Sequence, residues 1–160
     1  MNINELQPSL FPEFDIGNKK KSIVNVASVP QRSPFRYPGG KTWLIPIARK
    51  WFSSASDNAE LIEPFAGGGI ISLTAAAENY FNHIIMTELD EDVAAVWETI
   101  FSEKDYDWLS NKILNFIVTP ENINEVELHA NEGTKERAFS TIVRNRTNHG
   151  GILAKGSGKI

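Results

Sequence analysis

Residues 61–69 read LIEPFAGGG, so a short apolar segment runs directly into three consecutive glycines. The segment 61–64 is predicted to be a β-strand. Glycines after a strand allow the backbone to turn sharply and let a ligand approach without a Cβ in the way. A helix is predicted over 70–79, so its first N–H groups face whatever lies in the turn. The stretch therefore predicts a strand, a ligand-binding turn and a helix.

The pattern continues with a second apolar segment, 83–87, which is predicted to be a strand and ends at Glu88. Glu88 lies 19 positions after Gly69. An acidic side chain at this place can accept hydrogen bonds from both hydroxyls of an adenosine ribose. Another stripe of apolar residues at helical spacing follows over 93–101. Strand, glycine turn, helix, strand and helix form a βαβ unit, so the predicted fold class is α/β with a doubly wound sheet.

The glycine turn by itself indicates a nucleoside cofactor, and a tight strand–helix connection without a ligand is the alternative. NAD(P) sites usually have G-x-G-x-x-G/A, and Ser72 stands where the third small residue would be, which disfavours a dehydrogenase. The sequence also contains no G-x-x-x-x-G-K-[ST], so a P-loop nucleotide site is not indicated.

The remaining elements are predicted mainly as helices. Apolar residues at helical spacing predict a helix over 42–52, and Pro46 is close enough to its start to be tolerated. Residues 105–147 are predicted to be mostly helical, with Pro120 as a start signal and Gly133 as a break. We find no convincing third strand. Residues 1–32 have no sustained period and are predicted to form a flexible arm.

Composition excludes several classes of site. The chain has no cysteine, which removes disulfides, thiolate metal sites and a cysteine nucleophile, and we predict no metal site. No apolar run approaches the roughly 20 residues that span a bilayer, so we predict a cytoplasmic protein without a membrane partner. Net charge is −4, but residues 137–160 hold five basic and no acidic side chains. This basic end is suited to a phosphate backbone, although a solvated charged surface is the alternative.

Two segments together resemble the Dam-type DNA adenine methyltransferases: PFRYPGGK at 34–41 and EPFAGGG at 63–69. The resemblance returns in RNRTNHGG at 144–151 and is weak over 102–135. It implies a Rossmann-like, S-adenosylmethionine-dependent methyltransferase fold in a bacterial or phage-encoded protein. It also implies transfer of a methyl group to the exocyclic amine of adenine in DNA, as in restriction–modification.

The resemblance implies eight cofactor-binding residues: Tyr37, Lys41, Glu63, Phe65, Gly67, Gly69, Glu88 and Asp90. Tyr37 and Lys41 would close over the cofactor, and the turn at Phe65, Gly67 and Gly69 would lie beneath its methionine part. Glu88 would hold the ribose hydroxyls, with Asp90 as a second candidate at the same edge. For Glu63 two roles stay open: it receives the ammonium group of the cofactor, or it is buried against backbone N–H groups. Lys41 also has an alternative, as an ordinary surface lysine.

The same resemblance places four DNA-binding candidates near the end of the chain: Arg144, Asn145, Arg146 and His149. The arginines would contact phosphates or a guanine edge of double-stranded DNA. His149 stands where relatives often have a larger aromatic residue that wedges into the duplex, and a surface histidine without a role is the alternative.

The residues for the chemical step are not found. The family uses Asp-Pro-Pro-Tyr to accept the amine protons and to stack on the flipped base, and no such tetrapeptide occurs in the 160 residues. We therefore assign no catalytic residue. We expect an incomplete fold with a cofactor-binding part at 33–101 and a truncated start of a helical DNA-recognition region at 102–160. Such a fragment would be inactive alone or complemented by a second chain, and a non-catalytic cofactor- or DNA-binding remnant is the alternative.

Residues 7–11 read QPSLF and are similar to the short peptide that docks bacterial proteins on the sliding clamp. Leu10 and Phe11 would enter an apolar pocket while Gln7 makes hydrogen bonds. The alternative is an arm that packs Leu10 and Phe11 against its own domain.

Overall fold

The structure is a computed structural model, and it describes residues 26–36, 40–154 and 157–158. The described residues form six α-helices and two β-strands, with short 3-10 helices at Lys41–Leu44 and His149–Gly151. In chain order the elements are α1 (Ile45–Phe52), β1 (Leu61–Glu63), α2 (Ile70–Ala77), β2 (Ile84–Met86), α3 (Glu91–Phe101), α4 (Tyr106–Asn115), α5 (Pro120–Leu128) and α6 (Thr134–Thr147).

The predicted βαβ unit is present. β1 and β2 pair in parallel, with Leu61 opposite Ile84 and Glu63 opposite Met86, and α2 connects them. The segments that follow the two strands therefore leave from the same edge of the sheet. Within the described ranges the sheet has two strands, so the larger Rossmann-like sheet stays a prediction.

The glycine turn between β1 and α2 needs its glycines. Gly67 has φ 50° and Gly69 has φ 64°, both in the left-handed region that residues with a Cβ rarely adopt. A Cβ on Gly69 would also lie 2.8 Å from Cζ2 of Trp97 and 2.9 Å from Cε of Met86. The turn is therefore packed tightly against α3 and β2.

Helix boundaries differ from the predicted ones by a few residues, for local reasons. The helix predicted over 42–52 begins as a 3-10 turn and becomes α-helical at Ile45, with Pro46 in the first turn. α2 ends at Ala77, two residues early, and Asn79 then adopts φ 56°, which asparagine tolerates better than most residues. Pro120 begins α5 and Gly133 directly precedes α6, as predicted.

Three buried clusters hold these elements together. One joins α1, α2 and β1, a second joins Phe35 with α3 and α6, and a third lies among α4, α5 and α6. The helical part is attached to the βαβ unit mainly through α3, which packs against α6. The strands, the glycine turn and α6 therefore share one packed body.

The segment before α1 contacts this body. Val29 packs on the cluster of α1 and α2, and Arg32 lies 3.2 Å from Glu78. Glu78 also accepts two hydrogen bonds from Arg49, which lower the pKa of Glu78 below its ordinary value. Residues 26–32, which we assigned to the arm, are thus held by the domain, whereas residues 1–25 lie outside the described residues. In the described part no helix is long and apolar enough to cross a membrane.

Candidate functional site

A pocket of about 560 Å³ lies where the carboxyl ends of β1 and β2 meet. Residues 65–68, which follow β1, and Glu88, which follows β2, form one side of it. Phe35, Arg36 and Lys41 contribute to the rest of its wall. Its volume is in the range of about 300–1,000 Å³ that small-molecule sites occupy. Four of the predicted cofactor-binding residues, Lys41, Phe65, Gly67 and Glu88, line this pocket.

Glu63 is buried beneath this pocket and all of its contacts are with its own chain. Its side chain is 6% exposed. Oε1 accepts from Nζ of Lys41 at 2.6 Å, and Oε2 accepts from the backbone N and the Oγ of Ser72 at 3.0 and 2.6 Å. Of the two roles left open for Glu63, the contacts are those of the buried structural one.

Lys41 connects the start of α1 to the glycine turn. Besides Glu63, its ammonium group donates to the carbonyl oxygens of Phe65 and Ala66. The chain thus supplies its own cation to the buried carboxylate, and Lys41 is an anchored residue of the pocket wall rather than a free surface lysine.

The backbone of Gly67 is held from two sides. Its N–H donates to Oε2 of Glu88 at 2.6 Å, and its carbonyl accepts from Nε1 of Trp97 at 2.9 Å. The first bond comes from the end of β2 and the second from α3. One bond from each neighbouring element thus holds the backbone of the turn at Gly67.

Glu88 and Asp90 have different places. Glu88 lines the pocket, and its Oε1 accepts from the backbone N–H groups of Leu89 and Asp90 at 2.9 and 3.0 Å. Oε1 thus already accepts two hydrogen bonds, whereas Oε2 accepts one, from Gly67, and retains a second acceptor position for a ligand hydroxyl. Asp90 instead caps α3, accepting from the N–H groups of Asp92 and Val93.

Two further predicted cofactor residues are aromatic. Phe65 lines the pocket and is 75% exposed, which leaves a ring face available to a ligand. Tyr37 lies outside the described residues. The structure thus brings Lys41, Phe65, Gly67 and Glu88 together, with Glu63 beneath them.

The four DNA-binding candidates lie at the end of α6 and just after it, in different environments. Arg144 pairs with Asp92 at 2.6 Å, and the exposed Arg146 donates to the carbonyl of Pro34 at 2.7 Å. His149 is exposed. Asn145 is 1% exposed, and its amide contacts the backbone of Arg36 and Gly151. Arg146 and His149 therefore face solvent, whereas Asn145 does not.

Sequence reasoning missed the parts played by Trp97 and Ser72. Trp97 was seen only as one apolar residue of a helical stripe, and Ser72 only as a missing third glycine. A buried indole requires an acceptor for its N–H, and this was the available signal that Trp97 bonds a polar group nearby. Nothing in the sequence paired Ser72 with Glu63.

The helical part has a larger groove, of about 850 Å³, between α4, α5 and α6. It lies among Trp108, Phe116 and Phe139, away from the glycine turn. Among the described residues no group of three or more histidine, aspartate or glutamate side chains is arranged to hold a metal ion. The groove is lined by these aromatic rings together with polar and charged side chains, among them Lys112 and His129.

The comparisons with known proteins place the chain in one family. The profile of the D12 class N6 adenine-specific DNA methyltransferases matches residues 37–148, more than two thirds of the 160 residues. The match covers the glycine turn, Glu88 and all of α6, and it confirms the resemblance found in the sequence. No curated protein and no solved structure matches the chain significantly.

Proposed function

Since the chain belongs to the D12 class N6 adenine-specific DNA methyltransferases, we propose that its pocket binds S-adenosylmethionine for methyl transfer to adenine in DNA. The observation that carries the proposal is the position of the pocket at the carboxyl ends of two parallel strands. Ligands bind there in open α/β sheets, and here the glycine turn and Glu88 meet at that edge.

The residues present suit this cofactor. Glu88 lines the pocket and retains an acceptor position for a ribose hydroxyl, and Gly67 lines it where we place the methionine part. Gly69 is not among the lining residues and packs against Trp97 and Met86. The exposed ring of Phe65 offers its face to a sulfonium cation. Glu63 is a poor acceptor for the ammonium group of the cofactor, because it is buried and Lys41 already supplies its counter-charge. Tyr37 remains a candidate from its motif.

The methyl-transfer step needs groups that the 160 residues do not include. The bound cofactor supplies an electrophilic methyl group. The amine nitrogen of adenine attacks it more readily when nearby oxygens accept the amine protons, and the family uses Asp-Pro-Pro-Tyr for this. Because that tetrapeptide is absent from the sequence, we propose that other residues supply it, from the same protein or from a second chain. Residues 33–101 then hold the cofactor as part of a larger Rossmann-like sheet.

We place double-stranded DNA at the end of α6, where the 102–160 region carries its basic side chains. Arg146 and His149 are exposed there, and Arg144 is close by but tied to Asp92. Phosphate contacts are made mostly by such arginines, and they orient the duplex rather than read its sequence. We therefore assign the contact with DNA to Arg146 and His149, and we assign no DNA contact to the buried Asn145.

Calorimetry with S-adenosylmethionine and with NAD tests the cofactor. We expect binding of S-adenosylmethionine and none of NAD, and Glu88→Ala should weaken the former about tenfold or more, the loss of one or two charge-assisted hydrogen bonds. Glu60→Ala is the control, because Glu60 precedes β1 at the opposite edge of the sheet. Equal affinities of the two variants would contradict the site.

A radiolabelled-methyl assay tests whether this chain transfers the methyl group alone. The purified 160-residue chain should bind cofactor but transfer no methyl group to adenine-containing duplex DNA. Turnover by this chain alone would show that it contains its own catalytic groups. Absence of both cofactor binding and turnover would instead favour a remnant without cofactor function.

A separate proposal concerns Gln7, Leu10 and Phe11, which lie outside the described residues. We propose that they dock on a bacterial sliding clamp, in keeping with a cytoplasmic protein of bacteria or phages. Surface plasmon resonance should show binding of the chain to a purified clamp and its loss when Leu10 and Phe11 are both changed to Ala. Equal signals would reject docking.

A further inference from the structure

The side-chain amide of Asn145 binds the backbone of two distant segments. Its Oδ1 accepts from the N–H of Arg36 at 2.8 Å. Its Nδ2 donates to the carbonyls of Arg36 and Gly151, both at 2.8 Å. Both amide donors are therefore used, and both backbone polar groups of residue 36 are satisfied by one side chain.

Two further contacts tie the same segments together. Gly151 has φ 73°, and a Cβ at this position would overlap the carbonyl oxygen of Arg36. Arg146 donates to the carbonyl of Pro34 at 2.7 Å. The end of α6 and the turn after it are thus fitted closely to residues 34–36.

The segment 34–36, which Asn145 and Arg146 hold, is part of the pocket wall. Phe35 and Arg36 line the pocket, and Phe35 packs edge-on against Trp97 with the ring centroids 5.8 Å apart. Trp97 in turn holds the carbonyl of Gly67. A continuous path of contacts therefore leads from Asn145 to the glycine turn.

We propose that Asn145 is a positioning residue that sets the pocket wall at residues 34–36 and couples ligand binding there to the order of the turn after α6. The ligand in this statement is S-adenosylmethionine, so the coupling rests on the proposed function. Coupling between two sites is reciprocal, so a ligand in the pocket stabilises the turn at 149–151 to the same extent. Because Arg146 precedes that turn and His149 begins it, cofactor and DNA favour each other's binding.

Hydrogen exchange without ligand tests the positioning role. Asn145→Ala should speed exchange of the peptide amides at 31–36 about tenfold, the factor expected from losing a buried hydrogen bond of ordinary strength. Val143→Ala is the matched control, because Val143 is buried on the same helix but packs into the cluster of α4 and α5. Equal acceleration in both variants at matched stability, or none in either, would overturn the proposal.

Arg146→Met provides a second variant in case Asn145→Ala does not fold. The side chain of Arg146 is exposed, and its bond to the carbonyl of Pro34 is one of the described links to the pocket wall. We expect its loss to speed hydrogen exchange at 31–36 by a smaller factor, about threefold. If Arg146→Met leaves exchange at 31–36 unchanged, and Asn145→Ala either unfolds or also leaves it unchanged, then these contacts do not position residues 34–36.

Cofactor binding tests the coupling. Asn145→Ala should weaken binding of S-adenosylmethionine about tenfold, and Val143→Ala should leave it within about twofold. In the unsubstituted chain, S-adenosylmethionine should slow exchange at 149–151, and no slowing would overturn the coupling. If the unsubstituted chain does not bind the cofactor, the proposed function fails, while the exchange comparison without ligand still decides whether Asn145 holds the wall.

Discussion

Lys41 and Glu63 form an ion pair of 2.6 Å at the point where β1 ends and the glycine turn begins. The Glu63 side chain is buried and the Lys41 side chain is one-third exposed, so the pair lies at the boundary between core and pocket. Ser72 satisfies the other carboxylate oxygen from the first turn of α2. One buried acid therefore joins the start of α1, the end of β1 and the start of α2.

Removing the cation should destabilise the fold. Lys41→Met leaves the Glu63 carboxylate buried without its counter-charge, and we expect a loss of about 2–3 kcal/mol in the free energy of unfolding, measured in urea. Combining it with Glu63→Gln should recover part of the loss, because the uncompensated charge is gone. Lys50→Met, at an exposed position of α1, is the control and should change little. A Lys41→Met protein as stable as the parent would show that the pair contributes nothing.

A methyl group at Gly69 should be poorly tolerated. Gly69→Ala combines a left-handed φ with overlap against Trp97 and Met86, so we expect a loss of about 2–4 kcal/mol and a weakened pocket. Gly133→Ala is the matched change, since Gly133 has extended backbone and its new Cβ would meet only the end of the Glu136 side chain. Thermal unfolding of both variants checks this, and similar midpoints would refute the packing at Gly69.

The indole of Trp97 should matter to the pocket beyond its bulk. Trp97→Phe keeps an aromatic ring but removes the donor to the carbonyl of Gly67, and we expect cofactor affinity to fall about five- to tenfold. Trp108→Phe changes the same residue type in the helical cluster and should leave affinity within about twofold. Calorimetry gives both values. If the two variants bind equally well, the bond to Gly67 does not shape the site.

Stability should depend on pH through Glu78. Its pKa is lowered in the folded protein by hydrogen bonds from Arg49 and by the charges of Arg49 and Arg32. A lowered pKa means that the stabilisation is fully present above the ordinary carboxyl pKa and is lost as pH falls through the lowered one. Glu78→Gln should therefore cost about 1 kcal/mol near neutral pH, discounted for partial exposure, and much less in acid. Urea unfolding at several pH values measures this, with Glu60→Gln as an exposed control; a pH-independent difference would exclude the ionic contribution.

Local signals carried most of the fold prediction. Apolar runs beside glycines predicted the βαβ unit, because turn and strand preferences act over a few residues. Pro64 and Asn79 shifted the element ends by one or two positions, since Pro64 lacks the N–H of a ladder residue and Asn79 adopts a left-handed conformation. The stretch predicted to bind a cofactor was likewise a local motif, and residues 65–68 of it line a pocket.

The contacts that define the site could not be predicted from the sequence. Arg144 pairs with Asp92, 52 positions away, and Asn145 binds Arg36, 109 positions away. A residue type at one position does not reveal a partner at such a distance. Asn145 was predicted to contact DNA from the family resemblance of residues 144–151, whereas in the structure it is buried and bonded to Arg36 and Gly151.

The bond between Asn145 and Arg36 also has a consequence for how the protein is made. It closes a loop of 109 residues, and the chain entropy lost in closing a long loop must be overcome before the contact stabilises anything. A chain that is still being synthesised lacks α6 while β1, α2 and β2 are already available to pair. The contacts that hold the pocket wall at residues 34–36 therefore form only after α6 and Gly151 have been synthesised.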